Sequence, residues 1–272
     1  MKVTYIHHSS FLAELDSVYL LFDYYKGTVP PLAPEKPLYV FASHAHGDHF
    51  SRAVFDLRRG GPVTYVLSDD IKRRDAEDVL REKEGGETKE TPGGNHGGRS
   101  LIRVKAGEML RLGLPGKTEP LKMEAPAAGS GGRPQDAAPI TVETFRSTDA
   151  GVAFWVRADG RDIYHAGDLN NWWWEGEDKA WNHNMAANYR REIEKMRGRC
   201  ACAAFVPLDP RQGEQYCLGM DEFARAVNAD HIFPMHFWED YGIIEKMIEN
   251  PVSAPYRDRI EVIHREGEEF II

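Results

Sequence analysis

Short apolar runs bounded by turn residues dominate the chain and predict strands rather than long helices. Residues 3–6, 11–14 and 19–22 read as three successive strands, broken by His7-His8-Ser9-Ser10 and by the Asp16-Ser17 turn, so the chain opens as a meander. An apolar strand follows at 38–41. Residues 51–59 then have helical spacing, 63–67 are strand-like, and 69–83 alternate charge with apolar positions as an exposed helix does. Residues 85–98 and 113–139 are rich in Gly, Pro and Ala and have no steady hydrophobic period; they read as loop insertions around a short strand at 101–104. Strand signals return at 140–145, 152–156 and 161–165, the last two joined by Ala158-Asp159-Gly160, in which Asp-Gly is a strong hairpin signal. Beyond them an amphipathic segment at 185–197, a buried strand at 203–207, a helix at 221–229 and a strand at 231–233 complete the pattern. Strands in both halves, each flanked by helices, predict an α/β protein built as a four-layer αββα sandwich, with residues 1–272 as one domain. No internal repeat is visible.

Composition and charge mainly exclude. With 42% apolar residues among 272, a sizeable core is available. The net charge of -9, with basic residues scattered rather than striped, argues against a nucleic-acid partner. There is no run of roughly 18 apolar residues and no basic start before a long apolar stretch, so a soluble, cytoplasmic protein with no membrane partner is expected. Cys200, Cys202 and Cys217 are odd in number and lack zinc-ribbon spacing, which reads as reduced, mostly buried thiols.

The chemistry is concentrated in one stretch. From Ser43 to Phe50 the chain reads S-H-A-H-G-D-H-F, placing His44, His46, Asp48 and His49 directly after the 38–41 strand. Imidazole and carboxylate are the ligands that hold zinc, iron or manganese. At a strand end His44 and His46 can point one way while Asp48 and His49 reach a second position, so two adjacent ions are expected.

This loop resembles the His-x-His-x-Asp-His signature of the metallo-beta-lactamase-fold metal-dependent hydrolases, and the resemblance extends over nearly the whole chain. Asp168 in H-A-G-D-L and His236 in F-P-M-H-F fall where that superfamily has later ligands. The short N-terminal meander with His8 and Asp23, and the P-M-H ending, are most similar to the ascorbate-6-phosphate lactonase-like branch. One position departs from the pattern: where a further histidine is usual, the chain has Ser147-Thr148-Asp149-Ala150-Gly151. Asp149 can replace the imidazole as a ligand, support a ligand histidine by a hydrogen bond, or cap the turn before Gly151; direct ligation is the favoured reading. The resemblance then implies that His44, His46 and Asp149 hold one ion, that Asp48, His49 and His236 hold the other, and that Asp168 bridges them. The extra carboxylate makes the site harder, so manganese or iron joins zinc, which stays first, as the metal.

The implied activity is hydrolysis of a small ester, lactone, amide or phosphoester by a metal-bridging hydroxide, with Asp48 and Asp168 as catalytic carboxylates. An iron-dependent oxidoreductase on the same fold is the alternative, and a non-catalytic sensor or scaffold a third reading. Candidate substrate residues are Trp172 and Trp173 after the bridging Asp168, His183 a little beyond, Arg211 as a receiver of carboxylate or phosphate, Trp238, and His8. Each has a structural alternative: a tryptophan packed on the following helix, an Asp209–Arg211 tie, and for His8 a hydrogen-bonded structural role, which is the stronger reading. His165 is assigned to its strand and not to the coordination sphere. The expected partner is a small molecule, with the general acid unassigned and the oligomeric state, a homo-oligomer included, left open.

Overall fold

The computed structural model describes residues 1–58, 61–83, 95–96, 99–113, 121–122 and 140–272. The two expected insertions, 85–98 and 113–139, fall almost wholly outside the described residues. Seven strands open the chain: β1 (Lys2–His7), β2 (Ser10–Glu14), β3 (Tyr19–Phe22), β4 (Leu38–Ala42), β5 (Val63–Ser68), β6 (Asn95–His96) and β7 (Arg99–Val104). The next seven are β8 (Met109–Leu112), β9 (Leu121–Lys122), β10 (Ile140–Arg146), β11 (Val152–Ala158), β12 (Arg161–His165), β13 (Cys200–Pro207) and β14 (Asn228–Met235). A last strand, β15 (Glu269–Ile271), returns to pair with β1. Among the described residues they form two mixed sheets, ordered β15-β1-β2-β3-β4-β5-β7-β6 and β14-β13-β12-β11-β10-β8-β9.

The two sheets face each other across the main core, and period-two alternation sorts the first sheet's side chains between its faces. Phe11 and Ala13 of β2, Leu20 and Phe22 of β3, and Tyr39 and Phe41 of β4 enter the core between the sheets. Leu12, Tyr19, Leu21, Leu38, Val40 and Ala42 turn to the opposite face, where they pack with Phe55, Ile71, Val79 and Leu80. The latter two belong to helix α1 (Glu77–Lys83). Helices α2 (Lys179–Glu194), α3 (Leu218–Ala226) and α4 (Gly242–Glu249) contribute Tyr189, Ile193, Met220, Phe223 and Ile244 to the core that includes the second sheet. The Phe223 ring stacks on Tyr164 of β12 at 4.9 Å. This is the expected αββα sandwich.

Several boundaries differ from the pattern-based expectation, each because a tertiary contact outweighs local spacing. Only Glu77–Lys83 of the helix expected over 69–83 is α-helical. Ile71 is drawn wholly into the core, and the Asp70 carboxylate accepts the Ala45 N–H at 3.0 Å, which commits the preceding residues to a turn. The helical spacing at 51–59 becomes a 3-10 helix, Arg52–Asp56, capped by the Ser51 hydroxyl. The helix expected over 221–229 ends at Ala226, and buried parallel pairing of β14 with β13 claims the residues that follow. At the Asp159-Gly160 hairpin both residues have positive φ, 49° and 76°, as a type I′ turn requires. The cysteines are less buried than expected: Cys200 is exposed, and Cys202 and Cys217 are half-buried.

The fold brings strand ends to one edge. The chain leaves β1, β3, β4, β12, β13 and β14 there, delivering His8, Asp23, the Ser43–His49 loop, Asp168, Asp209 and His236 to a shared rim. The β10–β11 connection closes against it: Val152 N–H donates to the Ser43 carbonyl at 2.9 Å. Gly151 has φ +66°, and a Cβ there would lie 1.9 Å from the Ser43 oxygen and 2.6 Å from His44 Cβ. Gly151→Ala is therefore expected to destabilise the protein by about 2 kcal/mol or more, from left-handed strain plus displacement of the histidine loop. A denaturant midpoint equal to wild type would show that the loops are not wedged in this way.

Candidate metal centre

Four loops bring the predicted ligands together. His44 and His49 are fully buried and Asp168 and His236 nearly so, whereas the His46 and Asp149 side chains are each about half exposed, at 54% and 52%. His44 Nε2 lies 2.9 Å from His46 Nδ1 and 3.4 Å from Asp168 Oδ2. On the other side, Asp168 Oδ1 lies 3.1 Å from His49 Nε2 and 3.5 Å from His236 Nε2. Asp48 Oδ2 is 3.8 Å from His236 Nε2 and 3.9 Å from His49 Nε2. Two compact donor groups result, His44–His46–Asp168 and His8–Asp48–His49–His236. Asp168 turns one oxygen toward each.

These residues fit a cation. Donors held at about 2.1 Å around a tetrahedral ion lie roughly 3.4 Å from one another, close to the separations found. His49 Nε2, Asp168 Oδ1 and His8 Nε2 are buried and have no hydrogen-bond partner among the described residues, which is costly unless something else satisfies them. Asp149 stands 3.7 Å from His46 Nδ1 and lines the same cleft, but it lies outside both compact groups. Its backbone N–H is capped by the Ser147 hydroxyl at 3.2 Å.

A second ring of hydrogen bonds aims the imidazoles. Asp23, wholly buried, accepts from His49 Nδ1–H at 2.8 Å, from Ser43 N–H at 2.7 Å and from Ser43 Oγ–H at 2.6 Å. Because the Ser43 hydroxyl spends its proton on Asp23, it accepts from His44 Nδ1–H at 2.9 Å. Asp209 does the same for His236, accepting from Nδ1–H at 2.9 Å. In all three rings the Nδ1 proton is engaged in this way, which turns Nε2 to the site as the atom available to a cation. His165 keeps to its strand: Nε2–H donates to the Ser9 carbonyl at 2.9 Å, and Nδ1 accepts from Gly167 N–H at 3.1 Å. Asp23 was noticed in the sequence only as part of the N-terminal meander. Its role was invisible there because it joins loops distant in sequence.

The electrostatics are those of a site awaiting positive charge. Burial alone would raise Asp168, but the surrounding His49, His236 and His44 rings hold it far below the usual carboxylate range. Asp48 is lowered as well: His8 and His49 outweigh its partial burial. Asp209 falls to about 2, since His236 and Arg211 outweigh its burial. Burial works against a charged His49, yet the Asp168 and Asp23 carboxylates raise its pKa well above the ordinary value. Cation uptake beside His49 must displace that proton, so affinity falls as pH falls.

The cleft beside these groups has a volume of about 320 Å³ and is lined by His46, Asp48, Asp149, Asp168 and His236 together with Trp172, Trp174, Trp181, Met185, Arg211 and Trp238. Trp172 donates its indole N–H to the Asp168 carbonyl at 2.9 Å, stacks on Trp174 and meets His236 edge-on. Arg211 is tied to Asp209 through Nε and Nη2, and its guanidinium lies over the Trp238 ring at 4.4 Å. The anticipated tie and the cleft position thus occur together. Trp173 and His183 are not among the lining residues; their rings pack on each other at 5.4 Å. Trp181 and Met185 were missed because the helix expected at 185–197 begins at Lys179, capped by Asp178, which puts both residues on one helical face. His8 turns its buried Nε2 toward Asp48 Oδ2 at 3.5 Å, with no other polar partner for that nitrogen among the described residues.

Residues 2–180 match the family described as Beta-lactamase superfamily domain. The chain belongs to that superfamily. The sandwich is its metallo-beta-lactamase fold. Over 176 residues the chain is 34% identical to a UPF0173 metal-dependent hydrolase of Opitutus terrae, a match covering 62% of this chain and 63% of that relative. The match thus spans less than two thirds of the relative's length. The fold is also that of Igni18, a metallo hydrolase from the archaeon Ignicoccus hospitalis, with a TM-score of 0.51 and 17% identity over 100% of this chain and 98% of that one. CmlA, a diiron beta-hydroxylase from Streptomyces venezuelae, shares it with a TM-score of 0.52 and 12% identity over 97% of this chain and 52% of that one.

Two outcomes follow from the geometry. Removing bound metal with a chelator is expected to lower Tm by roughly 5–10 °C, the effect of a ligand held at about 100 times its Kd; an unchanged melt after verified removal would count against the centre. Asp23→Asn, which disturbs both buried histidine supports, should weaken metal binding about 10- to 100-fold in a chelator competition. Affinity within threefold of wild type would show that the Asp23 hydrogen bonds do not orient the ligands.

Proposed function

We propose that the protein is a metal-dependent hydrolase acting on a small ester, lactone, amide or phosphoester, with two divalent cations, zinc first and manganese or iron next, held by the two donor groups. The observation that supports this most directly is the placement of Asp168, buried, with one oxygen facing His44 and the other facing His49 and His236. His44, His46 and Asp149 would hold one ion and Asp48, His49 and His236 the other, with Asp168 shared. A bound pair of such ions supplies water made acidic enough to attack at neutral pH and a positive charge to polarise the electrophile.

The remaining roles belong to the chain's own side chains. Asp48, partly exposed to the cleft, can accept a hydrogen bond from the attacking water and fix its direction. The Trp172, Trp174, Trp181 and Trp238 rings provide apolar walls that bury the non-reacting part of a substrate and keep bulk water away. Arg211, with two of its nitrogens bound to Asp209, keeps Nη1 for a carboxylate or phosphate oxygen. A cleft of about 320 Å³ suits a small molecule, which accords with the lactonase-like resemblance and makes a nucleic acid or a membrane the less suitable partner. Among the described residues no helix is long and apolar enough to cross a membrane.

Metal analysis of protein purified without added metal, followed by a screen of chromogenic esters, lactones and phosphodiesters, tests the reading. Hydrolysis should disappear with chelator, return with zinc or manganese, and fall by at least about 100-fold in Asp168→Asn with the circular-dichroism spectrum unchanged. Turnover that survives both treatments would overturn it. Dominant iron with oxygen consumed during turnover would instead establish the oxidoreductase.

A further inference from the structure

His8 directly follows β1 and enters the donor group of Asp48, His49 and His236. It has φ +54°, a conformation that few side chains other than Asn, Asp and His adopt. Its backbone is held on both sides: His8 N–H donates to the Tyr5 hydroxyl at 2.9 Å, and the His8 carbonyl accepts from His236 N–H at 3.4 Å. The ring is 2% exposed and packs between the rings of His236, at 4.3 Å, and Trp238, at 4.4 Å. So held, it places Nε2 3.5 Å from Asp48 Oδ2, with a ligand-type nitrogen within 4.8 Å of the donor atoms of Asp48, His49 and His236. That Nε2 is buried and has no hydrogen-bond partner among the described residues. A neutral structural histidine would have settled this nitrogen on a carbonyl or hydroxyl, as His165 does with Ser9.

We infer that His8 is a fourth protein ligand on the Asp48–His49–His236 side, so that the two halves of the centre are unequal and the buried half fills first. This rests on the metal reading above and extends it. With Asp168 shared, the more buried half offers three imidazoles and two carboxylates, a donor set filled by protein atoms, the character of a holding site. The other half offers His44, the exposed His46 and, from 3.7 Å beyond it, Asp149. Its open side faces the tryptophan-lined cleft, so that is where solvent and substrate are admitted. His8 therefore belongs to the coordination shell rather than to the substrate surface.

Stepwise loading of metal-free protein with cobalt, followed by its visible absorption and by competition with a chromophoric chelator, separates the halves. Wild type should bind in two steps. His8→Asn, chosen because Asn tolerates positive φ, should weaken the first step about 10- to 100-fold and leave the second within threefold. His46→Asn should do the reverse. Protein carrying a single equivalent of cobalt should show three imidazoles around the ion by X-ray absorption, a count that needs no variant; two imidazoles, or a first step unchanged in His8→Asn, would overturn the assignment while leaving a metal centre in place. Wild type that takes up no cobalt, zinc or manganese would overturn the function and this inference together.

Discussion

Asp168 is the constraint on which the centre depends. A carboxylate buried to this degree is unfavourable unless it is paired, and here its partners are the rings of His44, His49 and His236 rather than a lysine or an arginine. Imidazoles that already donate through Nδ1 present lone pairs at Nε2, so they cannot satisfy a carboxylate as donors without taking up additional protons. A cation resolves the conflict by accepting from all of them. This accounts for the three rings standing 3.1 to 3.5 Å from Asp168 while His49 Nε2 and Asp168 Oδ1 find no hydrogen-bond partner among the described residues.

The rest of the rim makes that convergence rigid. Asp23 and Asp209 are buried acceptors that fix ring orientation, and Asp23 links His49 to His44 through the Ser43 hydroxyl, so that the two donor groups move as one. His8, Asp23, His236, Trp238 and Glu239 all have positive φ, which for residues other than glycine costs on the order of 1–3 kcal/mol each. Such conformations persist only where the surroundings impose them. The two-sheet core, with aromatic contacts such as Phe22 on Phe41 and His165 on Phe22 directly beneath the rim, provides that rigidity.

On the proposed reading, the difference between a mostly buried donor group and one that includes the exposed His46 suits hydrolytic chemistry, since one half would retain its ion while the other exchanges solvent and substrate. On the same reading the tryptophan walls and Arg211 would favour a molecule with an apolar body and an anionic end, so substrate choice would be decided there rather than in the donor groups.

Most of the candidate donors were legible in the sequence because the chemistry is local: His44, His46, Asp48 and His49 share one loop, and Asp168 and His236 each follow a strand whose apolar run is plain. The sandwich was legible as well, since period-two runs and helical segments fix the layers. Helix limits were not, because Ile71 and the residues after Ala226 obey burial and parallel pairing rather than spacing. Nor could spacing show that Trp173 turns away while Trp174 and Trp181 line the cleft, that Asp149 stands beyond the compact donor groups, or that His8 joins one of them. Short-range side-chain chemistry and hydrophobic period are written along the chain. Which of two chemically equivalent groups faces the site depends on loop backbones that only packed sheets can fix, and that was decided in three dimensions.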